Sequence, residues 1–165
     1  MFRIGVHVSI SKGFVEAINN AKTIGCTCAQ IFSHSPRSWS FPKIEEEEAK
    51  RFRKRYNTQD IKPIAVHESY LTNLATPKQE VYKKTMEAMK KEIDTTALLG
   101  LKYLVIHPGA HLGKGEKKGL NQIIASLNQL QELVVEKNIE ILLETTAGSG
   151  TNLGCTFEQL AYIIN

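Results

Sequence analysis

The sequence has few cysteines and no long apolar run. Its three cysteines, Cys26, Cys28 and Cys155, contain no C-x-x-C pair and are odd in number, which argues against a disulfide framework and against a cysteine zinc finger. No stretch approaches the roughly 18 uninterrupted apolar residues of a membrane span. Residues 1–10 lack the apolar core of a signal peptide. We therefore expect reduced thiols and a cytoplasmic protein with no membrane partner.

Composition indicates an ordinary globular chain. The sequence has 165 residues, of which 42% are hydrophobic and 23% are charged. This is enough apolar material for a real core, so we expect one domain over residues 1–165. The net charge of +4 only mildly favours binding to a polyanion, and many proteins without such partners are equally basic.

Four junctions at which a helix should end and a β-rich run should begin repeat along the chain. Each carries a Gly or Asn, the residues that end a helix in the left-handed conformation at low cost. The four are Gly25, Asn57, Gly100 and Asn138. Together with the N-terminal segment, the runs predict five strands, over residues 2–8, 28–32, 61–66, 103–106 and 139–143.

Helix starts are marked between these strands. Residues 76–79, Thr-Pro-Lys-Gln, and residues 156–159, Thr-Phe-Glu-Gln, are capping-box signatures, the first with proline at the first helical position. The second helix should run from four glutamates, residues 45–48, into a basic segment ending at Arg55. We expect i,i+4 ion pairs on its solvated face, and these are Glu46 with Lys50 and Glu47 with Arg51.

The order of elements predicts an α/β fold with a parallel sheet, since the apolar strands resemble those that helices cover on both faces. Two architectures have this order of strands and helices. A five-stranded doubly wound sheet suits the length, whereas a (β/α)₈ barrel typically needs about 250 residues. Length alone favours the open sheet.

Four of the five predicted strands end on a side chain that can bind metal. The carboxyl edge of the strands holds the active site in both architectures. Two histidines and one carboxylate are ligands that zinc accepts, and they leave a coordination position open for water or substrate. The sequence therefore predicts a divalent-metal site, with zinc the expected ion. Its predicted ligands are His67, His107 and Glu144. The fourth of these strand-end side chains is His7, which ends the first strand.

Two other motifs near this edge have less specific chemistry. His107 and His111 are four residues apart, but Pro108 and Gly109 between them argue against a helical metal-binding pair. The Gly-rich residues 148–154 match neither phosphate-binding pattern, G-x-G-x-x-G or the Walker loop, so we interpret them as a tight loop beside the site.

The loops after the second and third strands contain side chains suited to an extended anionic ligand. Ser35, Arg37 and Trp39, the only tryptophan, supply a hydroxyl, a cation and an aromatic surface. Tyr70 and Leu71 could wedge into a nucleic-acid duplex. Ordinary loop packing remains open for Trp39 and for the Tyr70–Leu71 pair.

The same residues carry a resemblance to a known family. The chain resembles the N-terminal portion of endonuclease IV, the zinc-dependent abasic-site endonucleases of AP endonuclease family 2. The matching segments occur in family order: Gly5–Ser9, Phe32 with Arg37 and Trp39, His67–Leu74, His107–His111, and Glu144–Gly148 continuing to Asn152–Gly154.

This resemblance implies a TIM (β/α)₈ barrel with three zinc ions, which cleaves double-stranded DNA 5′ to abasic sites during base excision repair. His67 and His107 would bind one zinc, and Glu144, the catalytic carboxylate, would bridge it to a second. The side chains that would contact DNA are Arg37, Tyr70 and Leu71, with Ser35 and Trp39 beside them. His7 and His111 would support the ligands, and the intact protein would be a monomer.

The sequence departs from the family at His34, at Ser149 and in length. The family's remaining ligands lie on later strands, so we expect about the first five β-α units, with one or two zinc sites partly present. We also expect the 165-residue chain alone to bind metal poorly and to be nearly inactive. Two alternatives are a metal-dependent sugar isomerase or epimerase of similar fold and a non-catalytic DNA-binding fragment. Arg37 and Tyr70 argue against a sugar pocket.

Overall fold

A computed structural model describes residues 2–165. Helices and strands alternate along the chain, and all strand pairs are parallel, in the order β1-β2-β3-β4. The predicted α/β class is confirmed. The elements are α1 (Phe14–Thr23), β1 (Ala29–Phe32), α2 (Glu46–Thr58), β2 (Ile64–His67), α3 (Gln79–Leu98), β3 (Tyr103–Ile106), α4 (Glu116–Glu136), β4 (Glu140–Leu143) and α5 (Phe157–Ile164).

The first predicted strand is not a regular strand. Residues 2–8 run parallel to β1, but only one isolated bridge forms, between His7 and Gln30. Backbone hydrogen bonds join Val8 to Gln30 at 2.8 Å and Gln30 to Val6 at 3.2 Å, whereas the Ile4 amide donates to the Thr27 hydroxyl at 2.8 Å instead of to a backbone carbonyl. The described sheet therefore has four strands rather than the five that the apolar pattern predicted.

The left-handed helix ends were predicted correctly at three positions out of four. Gly25, Gly100 and Asn138 have φ of 81°, 68° and 55°. The helix end predicted at Asn57 was wrong, because α2 continues through this residue to Thr58. A single residue that tolerates the left-handed conformation permits a helix to end but does not force it to.

The predicted cap at Thr156 is confirmed, although Gln159 turns its side-chain oxygen to the amides of Gly154 and Cys155 rather than to Thr156, and the cap at Thr76 is not confirmed. The Thr156 side chain accepts a hydrogen bond from the Gln159 amide at 3.2 Å and caps α5. Thr76 instead accepts from the amide of Lys78, two residues on, at 3.3 Å, and α3 begins only at Gln79. The Thr76 hydroxyl forms a local turn before the helix, which is a competing use of the same side chain.

The ion pairs on α2 differ from the predicted i,i+4 pairs. Lys50 lies 2.8 Å from Glu47, and Arg53 lies 2.6 Å from Glu46. Arg53 also donates to the carbonyl of Leu98 at the end of α3, so its guanidinium is held where it reaches Glu46. Packing against a neighbouring helix therefore decided the partner of Glu46.

The core lies between the sheet and the helices. Phe52, Met89, Ile93 and Leu104 are fully buried there. By contrast, no residue of the outer strand β4 is fully buried, and Leu142 on it is 41% exposed. Within residues 2–165, no helix has both the length and the apolarity needed to cross a membrane.

Candidate metal centre

The sheet brings the three predicted metal ligands together at one edge. His67 is the last residue of β2, while His107 and Glu144 directly follow β3 and β4. The Glu144 amide donates to the Ile106 carbonyl at 2.9 Å, which continues the β3–β4 ladder to the ligand itself. Parallel strands in register thus place residues distant in sequence side by side.

The ligand atoms converge closely enough for a single ion. One ligand atom from each of His67, His107 and Glu144 lies within 4.8 Å of the other two. The His67 Nε2 atom is 3.1 Å from Glu144 Oε2, and the two imidazole centroids are 5.1 Å apart. His67 is buried, whereas the Glu144 side chain is 42% exposed and is accessible from the cavity.

The backbone next to His67 fixes which imidazole nitrogen is available. Its Nδ1 atom donates to the Glu68 carbonyl oxygen at 2.7 Å, which leaves Nε2, 3.1 Å from Glu144 Oε2, as the nitrogen that could bind a metal. Histidines that bind metal usually donate their second N–H to a carbonyl or carboxylate in this way. Burial lowers the pKa of His107, which favours the neutral imidazole that a metal requires. The donor set and its orientation fit a zinc ion.

Glu68 supports both histidines, and sequence reasoning missed this role. Its side chain is fully buried, and its two carboxyl oxygens accept from the His107 amide and from the Thr72 hydroxyl, each at 2.6 Å. Burial is the main cause that raises the pKa of Glu68 to about 8. The only sequence signal was a carboxylate directly after a predicted ligand.

His7 lies near the ligands but outside the group that converges on one ion. Its ring centroid is 4.2 Å from that of Phe32 and 6.2 Å from that of His67. The Gln30 amide donates to His7 Nδ1 at 3.2 Å. Desolvation lowers the pKa of His7, with the neighbouring His67 adding to the effect. A supporting role for His7 stays a prediction.

The loop after β3 is not helical, as expected, and His111 organises its turn. His111 Nδ1 accepts from the Gly115 amide at 3.1 Å, outside the converging group. The Gly-rich segment lies against this loop, since the Leu153 amide donates to the Gly109 carbonyl at 2.8 Å and the His111 amide donates to Thr151 at 3.0 Å. Residues 148–154 are thus a tight loop beside the site, as predicted.

Asn73 joins the loops after β2 and β3. Its side-chain oxygen accepts from the amides of Ala75 and Ala110, and its amide donates to the Ala110 carbonyl at 3.0 Å. Gly109 is required at this crossing, because its φ is +121° and an added Cβ would lie 2.5 Å from the Asn73 oxygen. This clamp holds His107 beside His67.

A cavity of about 600 Å³ opens beside the converging ligands. His107 and Glu144 line it together with Tyr70 and Leu71. Tyr70 is 60% exposed, and Leu71 is half-buried. Two residues predicted to contact DNA therefore border the same space as two predicted metal ligands.

The remaining residues that were predicted to contact DNA lie on the loop after β1. Ser35 and Arg37 are exposed, and the carbonyl of Pro36 between them accepts from the Ser69 hydroxyl and the Tyr70 amide, both at 3.1 Å. Arg37 and Tyr70 are thus on adjoining loops. Trp39 is half-buried and borders a separate cavity of about 190 Å³ against α3, which favours the packing alternative for this residue.

The sequence relatives of this chain include many proteins named probable endonuclease 4. The one from Haloquadratum walsbyi is 41% identical over 161 residues, which cover 98% of this chain and 57% of the relative. The one from Chloroflexus aurantiacus is 43% identical over 161 residues, 98% of this chain and 56% of the relative. The chain therefore spans a little over half the length of these relatives.

Solved structures show the same fold. Endonuclease IV from Thermus thermophilus matches with a TM-score of 0.82 and 31% identity, over 99% of this chain and 59% of that one. A D-tagatose 3-epimerase-like protein matches with a TM-score of 0.73 and 21% identity, over 98% of this chain and 60% of that one. The second likeness is informative for the fold alone.

The family model described as xylose isomerase-like TIM barrel matches residues 18–165. This match covers most of the chain and agrees with the parallel order of β1 to β4. The expected resemblance to endonuclease IV is confirmed by the named relatives. The chain belongs to the xylose isomerase-like TIM barrel family.

Proposed function

We propose that the protein is a zinc-dependent DNA-repair endonuclease that hydrolyses the phosphodiester 5′ to an abasic site. The observation that carries this proposal is the convergence of His67, His107 and Glu144, two of which, His107 and Glu144, line a cavity together with Tyr70. The identity of about 40% to proteins named probable endonuclease 4 supports it. We place the protein in the cytoplasm as a monomer when complete.

The chain's own residues would hold and orient the reacting groups. His67 Nε2, the His107 imidazole and the Glu144 carboxylate would hold the metal. A zinc ion bound there supplies Lewis-acid stabilisation of the phosphate and a water of lowered pKa. The Glu68 carboxyl group holds His107 in place by accepting from the His107 backbone amide. The Glu68 backbone carbonyl holds His67 in place by accepting from its Nδ1 atom. In a complete barrel, later strands would supply further ligands, and the Glu144 carboxylate would help to hold a second ion beside them.

The two adjoining loops would bind the damaged strand. Arg37 offers a guanidinium for a phosphate, and Tyr70 with Leu71 offers a ring and an aliphatic group for the gap that a missing base leaves. An abasic nucleotide has little stacking to lose when it is extruded, which is one physical source of selectivity. Ser35 and Trp39 lie on the loop after β1, which also contains Arg37.

A sugar epimerase is the alternative that shares the fold. Proteins named as epimerases match at 21% and 20% identity, so they share the architecture without supporting a common substrate. Arg37 and Tyr70 on adjoining loops argue for DNA, because a pocket for a small polyol has no need of a cation and a protruding ring side by side.

The direct test uses a duplex that carries one tetrahydrofuran abasic analogue. The chain is assayed alone and together with a polypeptide that supplies the remaining part of the barrel from a relative, with and without chelator. We expect a chelator-sensitive nick immediately 5′ to the lesion from the supplemented protein. A folded, supplemented barrel that binds zinc and makes no such nick contradicts the endonuclease proposal.

The same assay separates the enzyme from a non-catalytic DNA-binding fragment. A fragment of that kind would bind the abasic duplex equally well with chelator present and would not nick it after supplementation. A control reaction with D-tagatose tests the epimerase alternative, which predicts metal-dependent conversion of the sugar and no nick.

A further inference from the structure

A buried polar cluster lies behind the two loops that we expect to face DNA. It consists of Ser33, His34, Ser69 and Glu92, each no more than 3% exposed. Glu92 lies on α3, between Met89 and Ile93, and all three side chains are buried in the protein. A carboxyl group in such a place needs hydrogen-bond partners, because desolvating it alone is costly.

Glu92 contacts both loops with its two carboxyl oxygens. Oε2 lies 2.5 Å from the Ser33 hydroxyl, at the start of the loop that contains Arg37. Oε1 accepts from the Ser69 amide at 3.3 Å, one residue before Tyr70. One rigid helix therefore connects to the first turn of each loop.

His34 extends this cluster into the loop after β1. Its Nδ1 atom is 2.9 Å from the Ser33 hydroxyl and 3.4 Å from Glu92 Oε1, and its Nε2 atom donates to the Ser38 carbonyl at 3.0 Å. The ring packs on Phe41 with centroids 3.8 Å apart. His34 thus holds residues 34–38, which include Arg37, in a closed turn.

The hydrogen bonds among these side chains are consistent with one shared proton. The Glu92 carboxyl donates to Ser33, which donates to the neutral His34 Nδ1; alternatively, a His34 imidazolium donates to Ser33, which donates to the Glu92 carboxylate. Glu92 and His34 together have no net charge in either arrangement, so the cluster can remain buried. Burial raises the pKa of Glu92 to about 7 and lowers the pKa of His34, which favours the first arrangement.

We propose that Ser33, His34 and Glu92 are positioning residues that set the relative placement of Arg37 and Tyr70 from beneath the loops. The role of those two side chains in DNA binding rests on the proposed function, whereas the placement of the loops does not. A second connection between the loops runs through the Pro36 carbonyl, which accepts from the Ser69 hydroxyl and the Tyr70 amide. With only that contact, the loops would be joined at one point and free to pivot.

Trp39 provides a reporter that needs neither metal nor DNA. It is the only tryptophan in the chain, and it lies on the loop after β1 beside Lys84 and Lys91 of α3. Its emission spectrum and its quenching by acrylamide therefore report how that loop sits against α3.

The test compares Glu92→Leu with Glu92→Gln in the full 165-residue chain. Glutamine can accept from Ser69 and donate to Ser33, whereas leucine can do neither. We expect Glu92→Leu to shift Trp39 emission to longer wavelength and to increase acrylamide quenching, with Glu92→Gln close to wild type. The control is Asp94→Leu, an exposed position on the same helix. Circular dichroism establishes folding, and Ser33→Ala serves as the milder variant if Glu92→Leu unfolds.

A wild-type Trp39 signal in a folded Glu92→Leu or Ser33→Ala variant overturns the proposal, as does an equal change in Glu92→Gln. In the supplemented barrel, we expect Glu92→Leu to raise KM for the abasic duplex more than it lowers kcat, with unchanged zinc content. If Trp39 responds as expected and no variant nicks DNA, the proposed function fails and the positioning role stands. If nicking occurs with the KM of Glu92→Leu unchanged, the positioning role fails and the proposed function stands.

Discussion

At the scale of single residues, the candidate site depends on three side chains that each end or follow a strand. His67 is oriented by one backbone carbonyl, and His107 is held through its own backbone amide. Glu144 has no such support from Glu68, and its side chain is 42% exposed. It is therefore the predicted ligand whose substitution should affect folding least.

Glu144→Gln should reduce zinc binding and abolish nicking in the supplemented protein. An amide is a poor replacement for a carboxylate ligand, so the loss of affinity should exceed the roughly 10- to 100-fold typical of losing a supporting partner. Zinc content after equilibrium dialysis and the nicking assay measure these effects. The matched control is Glu140→Gln at the other end of β4, where Glu140 pairs with Lys102 on the surface. Equal zinc content in both variants would contradict the ligand assignment.

Tyr70→Ala should weaken binding to the abasic duplex while leaving zinc content unchanged. Loss of an exposed ring that stacks on nucleic acid typically costs about 1–3 kcal/mol, or roughly 5- to 150-fold in affinity. Fluorescence anisotropy with abasic and intact duplexes measures the change. Tyr70→Phe keeps the ring and should retain most of the affinity. If Tyr70→Ala binds the abasic duplex as wild type does, Tyr70 does not enter the lesion.

At the scale of elements, the loops after the strands are held by side chains from elsewhere in the chain. Asn73 connects the loops after β2 and β3, while Glu92 connects the loops after β1 and β2 to α3. Rigid loops are needed because a binding or catalytic group displaced by about 1 Å loses much of its effect. The stability of these connections can be measured without knowing the substrate.

Gly109→Ala should destabilise the protein more than Gly113→Ala. Both glycines have positive φ, so both substitutions carry backbone strain, but only at Gly109 would the new Cβ meet Asn73, at 2.5 Å. Nothing lies within 4 Å of a Cβ at Gly113. We expect the difference to be about 1–3 kcal/mol, the usual cost of overpacking. Urea unfolding measures the free energy of unfolding of both variants. Equal free energies would show that the loops move apart at Gly109 without loss of stability.

The titration of Glu92 should make stability depend on pH. Its pKa is about 7 in the folded protein and 4.5 in the unfolded reference, so the folded state holds a proton that the unfolded state has lost between these values. Raising the pH from 4.5 to 7 should therefore lower the free energy of unfolding of wild type relative to Glu92→Gln, by up to about 1.4 kcal/mol per pH unit. His34, which faces the carboxyl group, is retained in both proteins.

Urea unfolding at several pH values measures this difference between the two proteins. A difference that stays flat from pH 4.5 to 7, or that rises with pH, would contradict a buried and protonated Glu92.

At the scale of the whole molecule, the described sheet has two unequal edges. On one side residues 2–8 cover β1 only partly, and Val6 is 51% exposed. On the other side β4 pairs with β3 alone, and Leu142 is 41% exposed. The related proteins are longer, and this chain spans 57% of one of them. We expect the walls of the cavity to be fully formed only when further β-α units are present.

Zinc should stabilise the supplemented barrel more than the 165-residue chain alone. A ligand that binds only the folded state at 100 times its dissociation constant adds about 2.7 kcal/mol to stability, and weaker binding adds less. Thermal unfolding with increasing zinc compares the two preparations, with magnesium as the control. An equal rise in the unfolding midpoint would show that His67, His107 and Glu144 form a complete site by themselves.

The sequence by itself determined four of the five predicted strands, the side chains that stand at the ends of three of them, and the family. These follow from local signals: β3 begins and ends where the apolar run predicted, and His67, His107 and Glu144 stand directly at strand ends. Thr156 as a cap and Asn138 as a helix end follow from neighbouring residues alone. Local patterns suffice wherever the deciding interaction lies within a few residues.

Only the tertiary structure decided the supporting network. The Ile4 amide bonds to the Thr27 hydroxyl where a regular first strand was expected, and Glu46 pairs with Arg53 rather than with Lys50. His34 had no assignable role until Glu92, distant from it in the chain, was seen beside it. Such contacts depend on how parallel strands and α3 come together, and a single sequence has no local signal for them because each residue's own neighbours are compatible with several partners.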